Sequence, residues 1–139
     1  MSDSHETMNF ERNAFWADLA KAAPELEIEP SPGWEKEIPV GLGGRLKVKL
    51  SLSQDRTSVY LVARSDQAQA WVQQNLKPLA YALRTVPSDV TGDAAAGRWF
   101  RRDNPKAVVT VRRHWPEMIR WLRAQHATFA RAVKGVESQ

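Results

Sequence analysis

RLKVKLSLSQDRTSVYLVAR (45–64) is the stretch that decides the fold. Leu46, Val48, Leu50 and Leu52 alternate with Arg45, Lys47, Lys49 and Ser51. That period of two predicts a strand with one face in a core and the other in water. SQDR (53–56) is a polar turn, and TSVYLVAR (57–64) is rich in the β-branched and aromatic residues that favour strands. A tight polar link between two such runs predicts an antiparallel pair.

Upstream, WEKEIPV (34–40) reads as a further strand, with Pro39 placing it at a sheet edge or strand end. GLGG (41–44) is a turn whose glycines accept positive φ. PELEIEPSPG (24–33) is a Pro- and Glu-rich connection, and Thr7 to Ala23 is a helix ending at Pro24. Its expected apolar face is Phe10, Phe15, Trp16 and Leu19, followed by Ala22 and Ala23.

Downstream, Ser65 is placed to cap a helix over 66–85, with Ala68, Trp71 or Val72, Leu76, Leu79 or Ala80, and Leu83 inward. Pro78 predicts a kink or break near Lys77. VPSDVTGDAAAG (86–97) is a loop by composition. RWFRR (98–102) and KAVVTVRR (106–113), separated by DNP, predict a hairpin.

HWPEMIRW opens a last helix, with Pro116 in its first turn and Glu117 at the positive end of its dipole. Met118 or Ile119, Leu122, Phe129 and Val133 form its apolar stripe, and Gly135 is its expected stop. Arg120, Arg123, Arg131 and Lys134 lie mostly off that stripe. The expected architecture is one α+β domain over 1–139, in the order α-βββ-α-ββ-α. An antiparallel sheet of about five strands carries helices on one face, and residues 1–7 and 135–139 are frayed.

The chain has 139 residues, 42% of them hydrophobic, with six Trp and no Cys. That supports one real core and excludes disulfides, thiolate metal sites and cysteine nucleophiles. MSDSHETMNFERN has no apolar signal segment, and no run is long enough to span a membrane, so a cytoplasmic, bacterial-type protein is expected. Residues 1–97 carry ten Lys/Arg against thirteen Asp/Glu, a net of −3; residues 98–139 carry ten against three, a net of +7. Such asymmetry attracts a polyanion or an acidic partner, although basic residues also solvate outer faces.

Catalytic chemistry finds little footing, and no cofactor is expected. His114 and His126 sit about 18 Å apart if helical, too far to share a metal. Glu25, Glu27 and Glu29 alternate along a loop and read as a solvated rim, with divalent cation binding left open. Glu35, Lys36 and Glu37 faintly suggest the acid-x-Lys pattern of metal-dependent nucleases, but the neighbouring strand supplies Arg45, Lys47 and Lys49 where a second acid is needed. GLGG lacks the lysine and following helix of a phosphate loop. No catalytic residue and no metal ligand is assigned.

Binding is the better-supported class. Arg98, Arg101, Arg102, Lys106, Arg112 and Arg113 are candidate contacts to nucleic acid or an acidic protein, with Trp99 a stacking or anchoring group. In a regular strand Trp99 and Phe100 point to opposite sides, so at least one belongs to the core. A protein-interaction or homodimerisation domain is the alternative, since Trp beside Arg makes good interface anchors.

FWADL near the start, RLKVKLSL with SVYLVAR, and above all HWPEMIRWLRAQHATFARAV resemble a bacterial and archaeal family catalogued as domain of unknown function 4268. The similar region is roughly 10–134, departing at the 86–97 loop and at Pro78. The resemblance implies an α+β fold and, because members occur alone or joined to nuclease-like domains, a role near DNA transactions. It implies no catalytic residues.

Overall fold

The computed structural model describes residues 2–29, 31–85, 87 and 98–139, with side chains from residue 7 onward. Almost all of the 86–97 loop therefore lies outside the described residues. Among those described, the chain forms helix α1 (Ser2–Ala22), strands β1 (Glu35–Gly41), β2 (Leu46–Leu52) and β3 (Thr57–Ala63), and helices α2 (Asp66–Gln74) and α3 (Leu76–Leu83). Strand β4 (Arg98–Asn104) and helix α4 (Trp115–Glu137) complete it, with short 3-10 turns at Pro24–Leu26, Leu42–Gly44 and Arg112–His114. The result is a single-domain α+β fold whose four-stranded sheet has the order β1-β2-β3-β4, antiparallel throughout.

The alternation of 45–52 sets the two faces. Leu46, Val48, Leu50 and Leu52 are buried and lie opposite Ala63, Leu61, Val59 and Thr57 of β3. Ile38 joins that face from β1 through its pairing with Val48. Pro39 sits on β1, an edge strand where its missing N–H leaves no broken ladder bond. Phe15, Trp16 and Leu19 of α1, Val72 of α2, Leu79 and Leu83 of α3, and Met118, Leu122, Phe129 and Val133 of α4 close the core. Phe10, expected inward, is exposed. Trp16 is held by its indole N–H, which donates to the Gly33 carbonyl at 2.6 Å.

Several local expectations have direct physical counterparts. The Ser65 side chain accepts from the Ala68 amide at 3.0 Å and caps α2. The helix breaks at Asn75, between α2 and α3, so that Pro78 falls in the first turn of α3, where fewer amides need partners. Gly43 and Gly44 take φ of +65° and +91° in the turn before β2. Gly135 does not stop α4, which continues through it to Glu137 and buries Val136. Apolar contact there outweighs the flexibility of glycine.

The largest departure is the fifth strand. KAVVTVRR (106–113) does not pair with β4; residues 105–111 turn beneath the sheet instead. Its backbone groups are claimed by side chains and by local turns, the Val111 amide reaching the Val108 carbonyl at 3.1 Å, rather than by a ladder. The Thr57 hydroxyl donates to the Ala107 carbonyl at 2.8 Å, and the Trp115 indole donates to the Val109 carbonyl at 2.8 Å. The Val108 amide donates to His114 Nδ1 at 3.2 Å. Ala107 and Val109 thereby fill the end of the core. Strand propensity loses here to burial.

Gly41 marks where α4 crosses β1. A Cβ built there would lie 2.7 Å from Val133 Cγ1 and 2.5 Å from Glu137 Oε1. Glu137 can swing away, but Val133 is fully buried and cannot. Gly41→Ala is therefore expected to cost about 1–3 kcal/mol by overpacking, measured by denaturant unfolding. Gly41→Ala combined with Val133→Ala should recover part of the loss.

Candidate nucleic-acid interface

The seven candidate residues of the β4 region do not share one surface. A register shift between Val59 and Leu61 of β3 puts an extra residue into β4, with Leu61 opposite Trp99 and Val59 opposite Arg102. Phe100 adopts φ of +58°, and the bulge turns both Trp99 and Phe100 into the core. The Trp99 indole donates to Gln69 of α2 at 3.2 Å. Trp99 thus ties sheet to helix, and its ring is not on the outside.

Arg102 follows it inward. Its guanidinium donates to the Leu83 carbonyl at the end of α3, to Thr85 Oγ1 at 2.8 Å and to Gln125 of α4, and lies 5.8 Å from the centre of the Phe129 ring. Burial lowers its pKa, and its acceptors are neutral. Arg102 fastens β4 to the α3–α4 pair.

Arg98 and Arg101 face the other, open side of the sheet. Arg101 pairs with Asp103 at 3.0 Å and lies 6.0 Å from the centre of the Tyr60 ring. The row beside it alternates in sign. Lys49 lies 3.3 Å from both Glu35 and Glu37, Lys47 is 4.0 Å from Glu37, and Arg64 also pairs with Glu37. Burial pushes the Glu37 carboxyl upward, but Arg64 and Lys49 outweigh it and hold the pKa below its ordinary value. Burial and the neighbouring Glu35, which accepts a hydrogen bond from the phenol O–H at 3.1 Å, push Tyr60 up to about 12. The outward Lys47 and Lys49 of β2 are thus neutralised in place. Arg45 instead bonds Gln67 and the Leu42 carbonyl.

Arg112, Arg113 and Lys106, which follow β4 in the chain, are exposed. Arg112 makes a two-pronged pair with Glu11 of α1, at 2.8 and 2.9 Å, and stacks 4.5 Å from the centre of the Trp115 ring. Arg113 and Lys106 have no carboxylate at ion-pair distance among the described residues.

A second set of cations emerges on α4. At 100° per residue, Arg120, Arg123, Arg131 and Lys134 fall within an arc of about 80° and span about 21 Å of helix. All four are exposed, and they lie opposite the face formed by Met118, Leu122, Phe129 and Val136. Arg120 pairs with Glu117, and Arg123 pairs with Glu25 at 2.8 Å. Arg131 and Lys134 have no such partner among the described residues. The 120/123/131/134 spacing was visible in the sequence as residues off the apolar stripe, but not as a patch.

The remaining groups arrange as follows. His114 accepts a backbone hydrogen bond at the start of α4. His126 is half-buried, and that burial lowers its pKa against the opposing pull of Glu25. Glu27, Glu29 and Glu37 line a shallow cavity of about 290 Å³ together with Ile28, Ser31 and Lys36. Among the described residues, no three His, Asp or Glu side chains gather where they could hold a metal ion, and no helix is long and apolar enough to cross a membrane. No family model, curated protein or solved structure matches this chain.

Proposed function

We propose that this protein is a binding module whose ligand is nucleic acid, alone or within a DNA-associated complex, taken up through the cations of its C-terminal third. The observation that carries the reading is the outward, net positive charge of that segment. Lys106 and Arg113, with Arg120, Arg123, Arg131 and Lys134 along α4, are all exposed, and residues 98–139 hold ten Lys/Arg against three Asp/Glu. The open sheet face of the same molecule is charge-balanced, its lysines paired with Glu35 and Glu37, whereas Lys106, Arg113, Arg131 and Lys134 have no carboxylate partner among the described residues. Net positive fields steer polyanions and release their counterions on contact. Kinship with the family that the sequence resembles belongs to the same proposal and adds no residue-level role.

The reading predicts binding to DNA or RNA that weakens steeply with salt. Replacing Lys106 and Arg113 with Glu should reduce the slope of log K against log salt by about two units, roughly one for each phosphate no longer neutralised. Titration of a labelled duplex at several salt concentrations reads this directly. Binding that is absent, or that ignores salt, overturns the reading.

A protein-interaction role has one observation in its favour. Trp34 is 52% exposed and is steadied by Arg12, whose guanidinium lies 5.7 Å from the ring centre. An exposed Trp beside an Arg is a typical interface anchor. Under that reading the chain is a dimer in sedimentation at micromolar concentration, and Trp34→Ala makes it monomeric.

A further inference from the structure

The first two turns of α4 enclose a shallow groove of about 370 Å³, lined by Pro116, Ile119, Arg120 and Arg123. Its floor is apolar: Ile119 packs against the core, and Pro116 is exposed beside it. Its two cations are one helical turn apart and therefore neighbours on the helix surface. Both are already engaged. Glu117 holds Arg120 from the same helix, and Glu25 holds Arg123 from the turn after α1.

We propose that this groove is a seat for the sugar-phosphate backbone of a nucleic-acid duplex, in which phosphates displace Glu117 and Glu25 from Arg120 and Arg123. This rests on the nucleic-acid reading above and assigns it a specific site. Charge complementarity argues for the occupant: Arg131 and Lys134, with no carboxylate partner among the described residues, leave this face of α4 net positive, and two planar guanidinium forks suit phosphate oxygens better than a single point charge does. The displaced pairs are exposed surface pairs, which are weak and easily exchanged for a ligand anion.

The rings argue for duplex over single strand. Trp99, Phe100, Trp115 and Phe129 are all buried, and the exposed large hydrophobics among the described residues, Phe10, Trp34 and Tyr81, do not line the groove. Tight single-strand binding uses exposed rings on which bases stack. A groove with forks and an aliphatic floor instead contacts a backbone, with little preference for sequence.

The test is a salt series of anisotropy titrations with a short random-sequence DNA duplex and with a single-stranded thymidine oligomer. The wild type, R120Q/R123Q, E25Q/E117Q and R112Q/R113Q are compared after circular dichroism confirms that each is folded. R120Q/R123Q should weaken duplex binding and lower the salt slope by about two units. E25Q/E117Q should tighten it by about two- to fivefold, because each arginine loses its internal competitor. The duplex should bind more tightly than the single strand.

The groove is overturned, with the nucleic-acid reading intact, if R120Q/R123Q keeps the wild-type slope while R112Q/R113Q lowers it. It is also overturned if E25Q/E117Q leaves affinity unchanged, or if the single strand binds more tightly. A wild type that binds neither oligomer, including one that binds only an acidic protein, overturns both the groove and the wider reading.

Discussion

Phe100→Ala is expected to lower stability by about 3–5 kcal/mol, the usual range for emptying a fully buried aromatic site. The informative comparison is with Phe100→Gly. At an ordinary strand position glycine is worse than alanine because it has more backbone freedom to lose. Here φ is +58°, a left-handed conformation that costs a residue bearing a Cβ about 1–2 kcal/mol and costs glycine nothing. The usual order should therefore vanish or reverse, with Phe100→Gly at least as stable as Phe100→Ala in urea unfolding. A glycine variant clearly less stable than the alanine one would mean that β4 runs as a regular strand.

Arg102→Glu is expected to cost about 2–4 kcal/mol, drawn from broken charge-assisted hydrogen bonds and from a carboxylate placed against carbonyl oxygen. The residue sits at the C-terminal end of α3, where the helix dipole favours a cation and disfavours an anion. Arg102→Lys retains the charge but not the fork that reaches Leu83, Thr85 and Gln125 together, so it should fall between the wild type and the Glu variant. Arg102→Gln, assayed where it remains folded, should bind a DNA duplex with the wild-type salt slope, because this guanidinium holds helices rather than phosphates. A slope reduced by about one unit would place Arg102 at the ligand instead.

These two positions show where the candidate site was legible and where it was not. Strand alternation correctly implied that RWFRR could not place both rings and all three arginines on one surface. It could not reveal the bulge, because a bulge answers to the register of the neighbouring strand. With one residue added opposite Tyr60, Trp99 and Phe100 both turn inward and Arg102 goes with them. Composition placed the excess of positive charge in residues 98–139. Only packing separated Arg102, which is spent on α3, and Arg112, which is tied to Glu11, from Arg113 and the α4 stripe.

The sequence by itself determined the antiparallel meander, the cap at Ser65, the broken helix before Pro78 and the amphipathic closing helix. Each depends on periodicity or on one residue's own backbone chemistry, and both act over a few neighbouring positions. Tertiary structure alone decided the missing fifth strand, the bulge at Phe100 and the partners of Lys47 and Lys49. Those outcomes turn on which distant group reaches a backbone carbonyl or a charge first. Thr57 and Trp115 take the carbonyls of 107 and 109, and Glu35 and Glu37 neutralise the β2 lysines, so a strand-forming run becomes a plug and a basic row becomes a balanced face.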